Sequence, residues 1–136
     1  MHTSAAVNQY KKMGTNVAVD TADPHQLIQM LLNGAIERIN AAKYHIQSND
    51  VKQKGEQISK AISILDGLKV SLDMEKGGEI AANLEALYDY MQRQLLMANL
   101  ENKTANLDEV LSLLNEIRSG WAQIPQDVRQ SHKPQA

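Results

Sequence analysis

Apolar side chains recur at alternating steps of four and three in four separate stretches of this chain, the spacing that puts them along one face of an α-helix. The first stretch carries Ile28, Leu32, Ala35, Ile39, Ala42 and Ile46, widened by Leu27 and Leu31. The second carries Ile58, Ala61, Ile62, Leu65, Leu68 and Leu72. Ile80, Leu84, Leu87, Met91, Leu95 and Ala98 line the third, and Leu107, Val110, Leu111, Leu114, Ile117 and Trp121 line the fourth, with Trp121 assigned to the core. Four amphipathic helices joined by short linkers predict an all-α fold, an antiparallel up-and-down four-helix bundle.

The punctuation between stripes agrees. Asp23 is placed to cap the first helix, with Pro24 at the first helical position and Gln26 completing a capping box. That helix is expected to end near Ser48-Asn49, and Asp50 to cap the second. The run Glu75-Lys76-Gly77-Gly78 predicts the end of the second helix, so that the third starts at Glu79 and reaches about Leu100. Asn106, followed by Glu109, reads as the cap of the fourth. Residues 1–22 are expected to form a mobile N-terminal arm with a short helical piece stopped at Gly14, residues 23–124 the bundle, and the polar residues 125–136 a disordered tail.

Composition narrows the function. With 136 residues the chain suits one domain, large enough to bury a core without metals or disulfides. It has no Cys, which removes disulfides, thiolate zinc sites and thiol nucleophiles. Fourteen Lys and Arg against sixteen Asp and Glu give no basic face for nucleic acid. No apolar run approaches the ~18 residues of a membrane span, and the first twelve residues lack a secretory pattern, so a cytoplasmic location without membrane insertion is expected.

Catalytic constellations are not found. A di-iron bundle needs Glu-x-x-His pairs, and none occurs, so neither metal nor other cofactor is expected. His45 raises the alternative of a histidine phosphotransfer bundle, but Ile46-Gln47-Ser48-Asn49 follows it where such domains carry Lys and Gly; the plainer reading is a surface His near a helix C-terminus. Gly77-Gly78 lacks the strand and the Lys-Ser/Thr of a phosphate loop. No enzyme is expected.

The informative surplus is apolar residues outside the stripes: Met30, Tyr44, Ile64, Val70, Tyr88, Tyr90, Leu96, Met97 and Leu113. Singly, each is ordinary. Together they suggest a second surface that seeks an apolar partner, with adaptable Met and amphipathic Tyr suited to an incoming helix. A structural oligomer built from such faces is the other alternative.

The stretch Thr21-Ala22-Asp23-Pro24-His25-Gln26-Leu27-Ile28-Gln29-Met30-Leu31-Leu32-Asn33-Gly34-Ala35 resembles the opening of the flagellin export chaperones, the flagellar secretion chaperone FliS family. A second block, Leu72-Asp73 through Gly77-Gly78-Glu79-Ile80-Ala81, Asn83-Leu84, Leu87-Tyr88-Asp89-Tyr90-Met91, Leu95 and Ala98-Asn99, is similar as well. Tyr10 and Trp121 match further landmarks, and the likeness covers roughly residues 5–121. Asp23 stands where the family has Ser, and Leu32-Asn33 where it has an aromatic-Asp pair.

This resemblance implies a cytoplasmic chaperone that binds the disordered C-terminal segment of flagellin, prevents premature polymerisation and delivers it to the flagellar type III export gate. The implied partners are that segment and the cytoplasmic domain of an export-gate membrane protein, with a homodimer in the absence of client as a further state. The expected client contacts are Leu27, Met30 and Leu31 on the first helix, Ile62 and Leu65 on the second, and Leu87, Tyr88, Met91 and Leu95 on the third. Tyr10, in the arm, is expected to dock at the gate or to cover the empty groove.

Overall fold

A computed structural model describes residues 23–124, which form four α-helices: α1 (Pro24–Gln47), α2 (Val51–Val70), α3 (Met74–Glu101) and α4 (Thr104–Ala122). Residues 1–22 and 125–136, including Tyr10, lie outside the described residues.

Each helix start has a local cause. Asp23 Oδ1 accepts from the Gln26 backbone N–H at 2.7 Å while Gln26 Oε1 accepts from the Asp23 N–H at 3.3 Å, the reciprocal capping box expected, with Pro24 beside it. Asp50 caps α2 through the Gln53 N–H, after Asn49 has turned the chain at φ 59°. Asp73 caps α3 through the Lys76 N–H. The α3–α4 turn uses left-handed Asn102 (φ 55°), and Lys103 precedes α4 without a side-chain cap.

Two boundaries differ from the sequence expectation. Helix α2 stops at Val70, not at the Gly pair, because Ser71 and Asp73 start a new capped turn at Met74. Leu72 therefore sits in the connection, still packed against the core. Gly78 (φ 51°, ψ −126°) then breaks the backbone inside α3 rather than ending α2. Asn106 lies inside α4 and its amide donates to Gln94 Oε1 on α3, so it is an interhelical tie and not a cap.

Short links force neighbouring helices to run antiparallel, and the side-chain bonds trace the arrangement. Lys54 at the start of α2 reaches the Asn99 carbonyl and Asn102 Oδ1 at the end of α3. Tyr90 of α3 donates to Glu109 of α4. Helix α4 returns along α1: Lys43 pairs with Asp108 near one end, Arg118 reaches Asn33 midway, and His25 meets Trp121 at the other. The four helices form a closed ring in chain order.

The core is where the stripes predict it. Leu32, Ala35, Ile39 and Ala42, then Ile58, Ala61, Leu65 and Leu68, then Met91, Leu95 and Ala98, then Leu107, Val110 and Leu114 are all buried. Burial of each Leu, Ile, Val or Met among them stabilises by about 1.5–3 kcal/mol. Ile64 and Tyr88, off-stripe by spacing, are core as well. Ile80 is the exception in the other direction, 73% exposed while its neighbour Ala81 turns inward.

Candidate functional site

Helix α3 is apolar on two sides. Its inner line, Ala81, Tyr88, Met91, Leu95 and Ala98, is buried in the bundle. Its outer surface carries Leu96, Met97 and Leu100, which lie within two adjoining turns and point to solvent, Leu100 at 78% exposure. Exposed Tyr44 and Val51 flank the α1–α2 turn, and Val70 and Met74 flank the α2–α3 connection. An outward run of large apolar groups on one helix is what a surface awaiting a partner presents.

The residues expected to contact a client divide into two tiers. Met30, Ile62 and Leu87 are half-buried and packed against the core, with part of each surface still open. Leu27, Leu31, Leu65, Tyr88, Met91 and Leu95 are buried. The upper tier is therefore reachable, and the lower tier lies beneath it in the packed interior. Tyr88 shows its setting through its phenol, pushed up by burial to about 12. Sequence periodicity places Leu96 and Met97 off the main stripe; Leu100 and Val51, more exposed still, carry no such signal because single apolar residues at helix ends are common.

A polar strap borders this region between α2 and α3. Lys69 Nζ donates to Asp89 Oδ1 at 2.7 Å and to Gln92 Oε1 at 2.9 Å, and Gln92 Nε2 donates to Asp66 Oδ1 at 2.8 Å and to the Ile62 carbonyl at 3.0 Å. The hydrogen bond and charge of Asp89 raise the Lys69 pKa, partly opposed by burial. On the α4 side, Tyr90 bonds Glu109 at 2.6 Å, which raises the tyrosine pKa.

His45 is partly exposed near the C-terminus of α1. Its Nδ1 is shielded from solvent, 3.9 Å from Asp50 Oδ2, and Tyr44 stands edge-on to the imidazole. Trp121 is half-buried against the core as expected, stacked on His25 with ring centroids 4.9 Å apart. Among the described residues no group of His, Asp and Glu is arranged to hold a metal ion, and no helix is long and apolar enough to cross a membrane.

The fold and surface thus define an all-helical bundle distinguished by apolar area left outside its core. The chain matches the family model for flagellar protein FliS over residues 6–128, and it belongs to that family. It is 49% identical to the flagellar secretion chaperone FliS of Salmonella typhimurium, over 91% of this chain and 93% of that protein. It is 44% identical to the flagellar secretion chaperone FliSB of Pseudomonas aeruginosa, over 89% of this chain and 96% of that protein. For the FliS of Bacillus subtilis the identity is 36%, over 92% of each chain.

Proposed function

We propose that this chain is a cytoplasmic export chaperone for flagellin. It binds the disordered C-terminal segment of flagellin as amphipathic helices, blocks premature polymerisation, and hands the client to the cytoplasmic domain of an export-gate membrane protein. It makes and breaks no covalent bonds. The observation that carries this reading is the doubly apolar α3, packed inside through Met91 and Leu95 and open outside through Leu96, Met97 and Leu100. A disordered segment loses conformational entropy on binding, and only a large apolar contact offsets that loss. The names of the FliS relatives, flagellar secretion chaperones, support the client class.

In this reading Met30, Ile62 and Leu87 join the outer α3 residues as the accessible contacts, and Leu27, Leu31, Leu65, Tyr88, Met91 and Leu95 form the floor beneath. Tyr10 serves the gate or covers the surface when client is absent, and a homodimer is the client-free alternative for the same surface.

Titration calorimetry with a flagellin C-terminal segment tests this. Wild type is expected to bind, and Leu96→Ser with Leu100→Ser to weaken binding by roughly tenfold or more, about 1.4 kcal/mol. Circular dichroism should show both proteins equally helical. Absence of binding by wild type defeats the proposal.

A further inference from the structure

We propose that α3 is a hinged wall of the client site, seated against α2 by the Lys69–Asp89–Gln92–Asp66 strap and swinging about Gly78 and Asn102 to admit a client helix to the side chains it covers. The inference rests on the chaperone reading above and adds how the lower tier of contacts becomes available.

Three independent features converge on α3. The first is its ends. Gly78, at φ 51° and ψ −126°, interrupts the helix near its start, and Asn102, at φ 55°, terminates it. Both lie in the positive-φ region, where a single residue can redirect the chain without unwinding the helix between them. The segment from Glu79 to Glu101 is thus a rigid rod with a joint at each end.

The second is how lightly α3 is seated. Five of its 28 residues are buried, against seven of 20 in α2 and seven of 24 in α1; α4, joined to it at Asn102, is as sparsely buried with three of 19. Elements with few buried apolar contacts for their length are the ones that open at low free energy. An α3 turned outward also keeps an apolar face in use, since Leu96, Met97 and Leu100 stand opposite its inner line.

The third is the nature of the seam. Across the α2–α3 junction, where Gln92 also reaches the Ile62 carbonyl, the tying polar groups remain partly exposed: the side chains of Lys69, Asp89 and Asp66 keep 25%, 45% and 50% of their accessible surface. Bonds of this kind exchange for water readily and weaken with salt. They hold register without sealing the seam.

The chain has no cysteine, so a staple can be placed cleanly. In Lys69→Cys with Asp89→Cys, a short thiol cross-linker ties α3 to α2 where the native pair stands at 2.7 Å. Lys43→Cys with Asp108→Cys ties α4 to α1, where the native pair stands at 2.8 Å, as control. Association of a fluorescent flagellin C-terminal segment is followed by stopped flow. The uncross-linked strap variant should bind faster than wild type, its cross-linked form slower by roughly tenfold, and the control should change less than about twofold on cross-linking.

A second measurement needs no client. Amide hydrogen exchange of the free protein should be roughly tenfold or more faster in Tyr88–Ala98 of α3 than in Ile58–Leu68 of α2, and Gln92→Leu should widen the gap. Equal protection of the two helices, or client association untouched by the α2–α3 staple, overturns the hinged wall. If no form of the protein binds flagellin, the chaperone reading falls, and the exchange comparison still decides whether α3 opens.

Discussion

The indole Nε1 of Trp121 donates to the carbonyl of His25 at 2.9 Å, and His25 Nε2 donates back to the carbonyl of Trp121 at 2.7 Å, with the two rings stacked 9° from parallel. Two bonds to backbone carbonyls join the first turn of α1 to the last turn of α4. Trp121→Phe keeps a ring for stacking and loses one bond, so it should destabilise by about 1–2 kcal/mol in urea unfolding. His25→Ala should have a similar effect. Because the two residues form one unit, the double variant should fall short of the sum by at least about 0.5 kcal/mol.

Lys54 is 5% exposed, and its ammonium is held by the Asn99 carbonyl and Asn102 Oδ1 at the C-terminus of α3. The end of a helix carries partial negative charge, which suits a buried cation. Lys54→Met leaves those oxygens short of a donor and should cost about 1–3 kcal/mol, read as a lower urea midpoint at unchanged slope.

Glycines offer a contrast in sign. A Cβ at Gly77 would stand 2.6 Å from the Ala81 Cβ, and Gly78 holds a positive φ that side chains resist. Alanine at either position should destabilise, by roughly 1–3 kcal/mol for Gly78. Gly55 and Gly120 lie inside helices, and a Cβ at either would meet nothing within 4 Å. Alanine at these two should stabilise by about 0.5–1 kcal/mol each, seen as a higher Tm.

Tyr88 supplies a pH dependence. Its phenol ionises at about 12 in the folded protein and near the ordinary 10 when unfolded, so the folded state holds its proton more tightly. The associated stability is fully present below pH 10 and is lost as pH rises toward 12, by roughly 3 kcal/mol over the window. Ultraviolet titration should lose a component ionising at about 12 in Tyr88→Phe, while the raised ionisation of Tyr90 remains, and that variant should show a flatter loss of stability above pH 10.

The bundle was legible because its interior repeats with a heptad. On α3 the positions Ala81, Tyr88 and Leu95 form one series of sevens and Leu84, Met91 and Ala98 the other. Helices that wrap around each other follow a 3.5-residue period, not 3.6. Ile80, seven residues before half-buried Leu87, fits such a series too, yet it stands two residues past the break at Gly78 and faces solvent while Ala81 is buried. Tyr88, read as off-stripe, lies seven residues from both Ala81 and Leu95 and is core with them.

Helix ends were harder to read. Leu72 continues the α2 pattern and does pack on the core, yet the backbone has already left the helix at Ser71 because Asp73 offers a competing cap. Asn106 has the chemistry of a cap but finds Gln94 across the α3–α4 seam, a partner that spacing along the chain cannot reveal. The proposed client surface was half legible for a similar reason. An apolar residue advertises that it wants burial, and whether its own bundle or another chain supplies it, as for Tyr88 against Leu100, depends on packing between helices.

The contact between His25 and Trp121 brings the start of α1 beside the finish of α4. The path of the backbone is therefore a circuit that closes in space and stays open only in its covalent bonds. A circular permutant, with a short peptide bridging 124 to 23 and new ends cut in the turn at Asn49, should retrace the same circuit. The order of helices around the ring, and not the place where synthesis begins, is what the interior recognises.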